Sequence, residues 1–288
     1  MIIAVASGKG GTGKTTVAVN LALSMKDDCN VQFLDCDVEE PNAHIFLKPV
    51  IKEQNKGYIP VPEIDEAKCN FCGKCSKICV YNAIAVLPPQ NFKKGTTLVF
   101  NNLCHGCGAC SNLCPQNAIK EVHKEIGIIE KGDSDNIDFI HGRLNVGEAM
   151  ALPLIRKIKK NISLEKIAII DAPPGTSCPV VASVKDSDYT ILVTEPTPFG
   201  LNDLILAAGL VKKLKIPFGV VINRSDIGNR EVEEYCQKEN IPVLMKIPFS
   251  KDIAISYSKG IPVIETFPKY IVHFQEIFNK IKDFTSNV

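Results

Sequence analysis

No apolar stretch of the 288-residue chain approaches the ~20 residues needed to span a bilayer, so no membrane-spanning helix is expected. Neither sign of charge is in excess. There are 33 Lys and Arg against 32 Asp and Glu, a net charge of +1, and no field points to nucleic acid or an acidic membrane. The five histidines show no ligand spacing. The first readable strand begins at residue 2, which leaves no room for a signal or transit peptide. The expectation is therefore a cytoplasmic protein, in a reducing compartment where metal ligation prevails over disulfides.

Cysteine, by contrast, is abundant and ordered. Eight cysteines fall into two copies of one spacing: Cys69-x-x-Cys72-x-x-Cys75-x-x-x-Cys79 and Cys104-x-x-Cys107-x-x-Cys110-x-x-x-Cys114-Pro115. A disulfide framework would need a secreted chain, and paired zinc sites would use separate CxxC pairs without the third and fourth cysteines. The stretch from 63 to 125 resembles a two-cluster bacterial ferredoxin, with Val80 where that run usually has proline. The resemblance implies two [4Fe–4S] clusters, each held by three cysteines of one run and the fourth of the other. One set would be Cys69, Cys72, Cys75 and Cys114; the second would be Cys104, Cys107, Cys110 and Cys79. His105, inside the second run, could tune its cluster or could be an ordinary loop side chain. Cys29, Cys36, Cys178 and Cys236 lie outside the runs and are expected to be small buried hydrophobes.

A second motif opens the chain. Ile2 to Ala6 reads as a buried strand, and Gly8-Lys9-Gly10-Gly11-Thr12-Gly13-Lys14-Thr15 follows it, fitting G-x-x-x-x-G-K-[ST]. Thr16 to Met25 then carries apolar residues at helical spacing. Glycines let backbone N–H groups face a phosphate, and the helix N-terminus adds a positive dipole end. Lys14 can reach the β/γ-phosphates of ATP, or the β-phosphate of ADP, and the Thr15 hydroxyl can hold Mg²⁺.

The extra lysine, Lys9, makes the loop resemble the deviant-Walker ATPases of the MinD, ParA and Mrp type. In that family such a lysine acts on the nucleotide of a dimer partner. The resemblance implies a first switch at Asp35-Cys36-Asp37, with Asp37 positioning or activating water, and a second at Asp171 after the strand Ile167 to Ile170, serving Mg²⁺. It also implies base contacts from Asn223, with Arg224 beside it, and from Pro248. The full expected nucleotide set is Gly8, Lys9, Gly10, Gly11, Thr12, Gly13, Lys14, Thr15, Thr16, Asn223, Arg224 and Pro248. The catalytic set is Lys9, Lys14, Asp37 and Asp171.

Strands and helices alternate over residues 1 to 47 and from 148 onward. This predicts an α/β fold with a mostly parallel sheet, a P-loop NTPase interrupted by a small α+β ferredoxin-like domain. The expected division is 1–62 plus 126–288 for the ATPase domain and 63–125 for the insert, with Pro60 and Pro62 marking its start and the polar run 131–138 lying beyond its end. Ile271, Phe274, Ile277, Phe278 and Ile281 form a helical stripe expected to dock on the sheet.

The expected function is a dimeric, ATP-hydrolysing iron–sulfur protein, paired with itself or a related ATPase. Its nucleotide cycle would govern electron transfer to, or docking of, a redox partner protein. The alternatives are a cluster assembly or carrier ATPase and a MinD-like spatial organiser; neither nucleic acid nor a membrane is an expected partner.

Overall fold

The computed structural model describes residues 1–90 and 94–286. The chain begins with β1 (Ile2–Ala6), α1 (Lys14–Met25), β2 (Val31–Asp35), α2 (Ala43–Leu47) and β3 (Val50–Ile64). It continues through α3 (Lys74–Ile78), β4 (Ile84–Leu87), β5 (Thr96–Val99), α4 (Ala109–Asn112), β6 (Ile119–Ser134) and β7 (Ile137–Leu144). Then come α5 (Ala151–Lys159), β8 (Ile167–Asp171), α6 (Cys178–Val184), β9 (Tyr189–Thr194), α7 (Pro198–Lys213) and β10 (Phe218–Asn223). The last elements are α8 (Glu231–Lys238), β11 (Val243–Ile247), α9 (Lys251–Ser258), α10 (Val263–Thr266) and α11 (Lys269–Ser286).

The chain divides into two compact units. The first comprises Met1–Asn55, Ile129–Arg143 and Ile155–Val288; the second comprises Lys56–Ile128 and Leu144–Leu154. The second unit thus takes in 144–154 as well, a segment with no cysteine that lies beyond the expected end of the insert.

The main sheet runs β11-β10-β9-β1-β8-β2-β7-β6-β3. Its pairs from β11 to β7 are parallel, with Val5 opposite Asp171 and Asp35 opposite the same residue on the other side. Five of these strands, β1, β2, β8, β9 and β10, are buried almost throughout, which is why they read as continuous apolar runs. Strands β2 and β8 end in the carboxylates Asp35 and Asp171, at the carboxyl edge of the parallel sheet where such folds place their polar chemistry.

The expected polar run 131–138 is instead a strand–turn–strand. Asp135 and Asn136 both have left-handed backbone, φ 43° and 67°, which is the two-residue hairpin geometry joining β6 to β7. In the first unit the ion pairs Lys52–Asp133 and Lys131–Glu53 cross β3 and β6 in opposing sequence order, so this edge is antiparallel. Pro60 and Pro62 do not interrupt β3. The strand is last in the sheet, and an edge strand tolerates residues that lack an N–H.

The first unit's core gathers Phe33, Phe139, Ile169 and Leu21 with the C-terminal stripe. Phe274, Ile277 and Ile281 are each 1% exposed and Phe278 7%. The stripe of α11 therefore faces the core, as its spacing predicts. No helix among the described residues is long and apolar enough to cross a membrane.

In the second unit, β4 and β5 form an antiparallel hairpin, and α3 and α4 are single short turns of helix. Ile59, Val61, Ile84, Ile126 and Leu154 are its larger fully covered side chains. That is a small core for a unit of this length.

Candidate functional site

The first unit carries a phosphate-shaped loop. After β1, Gly11 and Gly13 take φ +78° and +93°, and α1 starts at Lys14. A Cβ on Gly13 would stand 2.4 Å from Asn223 Nδ2, and one on Gly8 would stand 2.2 Å from the carbonyl oxygen of Asp203. Gly13 is thus required twice, by backbone conformation and by close approach.

Lys14 is buried amid acids. Its Nζ lies 3.2 Å from Asp171 Oδ1 and 3.4 Å from Asp37 Oδ2. Burial alone would lower its pKa, but the charges of Asp171, Asp37 and Asp35 outweigh it and hold it raised. Thr15 Oγ1 donates to Asp171 Oδ2 at 2.6 Å. These two oxygen groups, side by side at the end of β8 and the start of α1, are hard donors of the kind Mg²⁺ takes.

Asp35 is fully buried and shapes the loop that follows β2. It accepts the backbone N–H groups of Asp37 at 3.0 Å, Asn42 at 3.2 Å and Ala43 at 3.1 Å. Burial, then the charge of Asp171, pushes its carboxyl well above the ordinary range, against the Ala43 N–H. Asp37 is pushed up to about 6, mainly by burial and only partly offset by Lys14.

Two adjoining hollows open on this loop. Gly11, Lys14, Thr15, Asp37, Glu40 and Asn42 line the first. Asn223, Arg224, Pro248, Phe249, Ile253 and Tyr257 line the second. Gly11, Gly13, Thr16 and Tyr257 border both. One is acidic and cationic, suited to phosphates with a cation; the other is walled by apolar side chains and an amide, suited to a planar base. Asn223 is held at the rim: its Nδ2 donates to the Thr12 carbonyl at 2.8 Å and its Oδ1 accepts the Arg224 N–H at 3.0 Å. Arg224 pairs with Glu195 at 3.3 Å.

Of the expected nucleotide residues, Gly10, Gly11, Gly13, Lys14, Thr15, Thr16, Asn223, Arg224 and Pro248 line these hollows. Gly8, Lys9 and Thr12 do not. Gly8 is pressed against α7, Thr12 is buried with its hydroxyl unpartnered among the described residues, and Lys9 is half-buried. Sequence reasoning missed Tyr257. Tyr257 lies on α9, far along the chain, with its ring 4.9 Å from that of Phe46 on α2. No local pattern marks it.

The expectation for the isolated cysteines needs correction. Cys36 and Cys236 are buried, but Cys178 is exposed and Cys29 only partly covered. Cys178 opens α6 directly after the loop from Asp171, where a helix start faces outward.

The second unit contains two further hollows. Cys69, Cys72, Cys75 and Cys114 line one; Cys104, Cys107, Cys110 and Cys79 line the other. Each draws three cysteines from one run and the fourth from the other. The backbone repeats as the sequence does. Phe71 N–H donates to Cys69 Sγ and Gly106 N–H to Cys104 Sγ, both at 3.4 Å; Ala83 N–H donates to Cys79 Sγ and Ala118 N–H to Cys114 Sγ, both at 3.3 Å. Amide donors aimed at sulfur stabilise the thiolate form.

Among the described residues no three His, Cys, Asp or Glu side chains converge as ligands of a single metal ion. Four sulfurs spread around a hollow fit a larger inorganic group with several metal atoms. Burial pushes the Cys110 thiol up to about 11 and also raises Cys75 and Cys104. Without metal these groups hold their protons, and loading would release them. His105 is stacked on Tyr81, ring centroids 3.5 Å apart and 5° from parallel.

Comparison with known proteins agrees with the nucleotide geometry. The family model for the CobQ/CobB/MinD/ParA nucleotide-binding domain matches residues 3–263. An uncharacterised protein of Methanocaldococcus jannaschii is 35% identical, covering 94% of this chain and 92% of its own. An iron–sulfur cluster carrier protein of Pyrococcus horikoshii is 27% identical, covering 98% of this chain and 86% of its own. Among solved structures, the septum site-determining protein MinD of Pyrococcus horikoshii complexed with Mg-ADP superposes with a TM-score of 0.59. It shares 19% identity and covers 97% of this chain and 95% of its own. That likeness is one of fold: a mostly parallel α/β sheet.

Proposed function

The chain belongs to the CobQ/CobB/MinD/ParA nucleotide-binding family, and from that premise we propose that it is an Mg-dependent ATPase whose second unit holds two [4Fe–4S] clusters. Its nucleotide cycle governs electron transfer, or docking of a redox partner protein, through them. The observation that carries this reading is the pair of cysteine-lined hollows, each completed by the other run's fourth cysteine.

The geometry supports the following residue roles in this reading. Lys14 takes the β- and γ-phosphates, exchanging its present carboxylate partners for phosphate oxygens. Thr15 and Asp171 hold Mg²⁺, Asp171 through its water shell. Asp37 orients the attacking water. Asn223, Arg224 and Pro248 meet the base. Lys9 lines neither hollow of its own chain, which supports a role on the nucleotide of a second subunit, either an identical copy or a related ATPase. The two switch segments carry Asp37 and Asp171, and both carboxylates share Lys14. A change at the γ-phosphate therefore reaches both loops at once. The clusters, when bound, supply one-electron chemistry.

A second reading treats a cluster as cargo, handed to apo-proteins. Its support is the naming of relatives as iron–sulfur cluster carriers over most of their length. A third, a MinD-like spatial organiser held to lipid by its C-terminal helix, has less support, because the stripe of α11 faces the core.

Anaerobic purification decides the first point: two clusters give about eight iron and eight sulfide per chain. EPR of the reduced protein should change with Mg-ATP; a nucleotide-indifferent spectrum counts against coupling. Mixing holoprotein with an apo-ferredoxin separates the first two readings. Retention of iron supports resident clusters, and ATP-dependent handover supports a carrier.

A further inference from the structure

The two cysteine-lined hollows share one backbone plan, so they can be compared position by position with an offset of 35 residues, the distance from Cys69 to Cys104. The four N–H to sulfur bonds match in pairs and cancel. What remains is the difference in side chains. The hollow of Cys69, Cys72, Cys75 and Cys114 is lined by Lys74, where the other run has Ala109. The hollow of Cys104, Cys107, Cys110 and Cys79 is lined by Glu121, where the first run has Val86.

Glu121 is anchored although exposed. Its Oε1 shares the single Ser111 hydroxyl hydrogen with the Gly108 carbonyl, each at 2.9 Å, and lies over the cluster loop, so that a Cβ on Gly108 would stand 2.8 Å from it. Neither Glu121 nor Lys74 has an oppositely charged partner within 4 Å among the described residues.

We propose that these two side chains make the sites unequal in reduction potential, the Glu121 site lower and the Lys74 site higher. This rests on the reading that both hollows hold [4Fe–4S] clusters. Adding an electron beside a fixed carboxylate is unfavourable and beside an ammonium favourable. Two features oppose this order. The Lys124 ammonium is felt at Cys104 in the Glu121 site, but Glu148, paired with it at 2.7 Å, offsets that charge. Asn70 Oδ1 accepts the Cys72 N–H at 3.3 Å, withdrawing a donor from the Lys74 site, whereas His105 at the matching position lies against Tyr81. That bond is long and a dipole's field falls faster than a charge's, so the two charges prevail. Each site takes one electron. The first, from a low-potential one-electron donor protein, rests at the Lys74 site; the second enters the Glu121 site.

The test is EPR-monitored potentiometry of anaerobic holoprotein, with iron counted on the same sample. Two one-electron steps are expected. Glu121→Gln should raise the lower step and leave the upper in place; Lys74→Ala should lower the upper step alone. A single unresolved step at full iron content, or Glu121→Gln moving the upper step, overturns the assignment of order. Should Glu121→Gln fail to load clusters, Lys74→Ala decides alone, and an upper step that it leaves unmoved overturns the proposal. Wild-type protein with no iron and sulfide overturns the cluster reading itself.

Discussion

Thr15 and Asp171 are hydrogen-bonded at 2.6 Å across 156 positions of sequence. One begins α1, the other ends β8, and the register of β1 against β8 places Val5 opposite Asp171 and so brings them together. The bond joins the loop that would hold phosphate to the strand end that would hold the metal.

Lys14 is the one cation in contact with the Asp37 and Asp171 carboxylates among the described residues. Lys14→Ala should abolish nucleotide binding, read by fluorescent ADP titration. It should also cost about 3 kcal/mol of stability, because buried acids lose their counter-charge. Unaltered ADP affinity would remove the phosphate role.

Gly13→Ala should strain a backbone at φ +93° and push Asn223 out of place. We expect about 1–3 kcal/mol lost, with weakened nucleotide binding. Urea denaturation and ADP affinity measured together check it; a variant as stable and as tight-binding as wild type would contradict the close approach.

His141 is buried, and that burial holds its pKa below the usual 6.5 despite Glu130 at 2.8 Å and helped by His44 and Arg143. Above that pH it is neutral in both folded and unfolded chains and contributes no slope. As pH falls through the unfolded value, only the unfolded chain takes the proton, so stability drops until the folded pKa is reached. His44 has the same sign. Asp35 and Asp37 are shifted upward and tilt the opposite way. The readout is therefore a difference: His141→Gln should lose less stability than wild type between pH 7.5 and 5.5, by urea midpoints at constant salt.

Phe274→Ala on α11 should cost about 3–5 kcal/mol, since the ring is 1% exposed in the core. A cost below 1 kcal/mol, with retained helicity, would mean the stripe is not core.

Stripping iron and sulfide with chelator and oxidant should loosen residues 56–90 and 94–128 more than it loosens the first unit. The second unit buries few large side chains, so the proposed clusters would stand in for a core. Hydrogen exchange resolved by peptide reads both units in one experiment. Protection that is equal with and without metal would contradict this.

The sequence by itself determined whatever chemistry sits in consecutive residues. The glycine loop, Lys14 and Thr15 are read directly, because a phosphate loop must be short and continuous. So are the two cysteine runs, and so is the strand β1, whose limits match the apolar run Ile2 to Ala6. The mostly parallel architecture follows from alternation alone. Only the tertiary structure decided the rest. Tyr257 reaches the nucleotide hollows from α9, and Glu121 covers Gly108 from β6; neither belongs to a motif. Pro60 and Pro62 lie within a strand because β3 is last in the sheet, and 144–154 packs with the second unit through contacts that the spacing of its residues does not announce. A motif records what neighbours in the chain must do together. Contacts between remote residues depend on sheet order and packing, and no short window of sequence contains them.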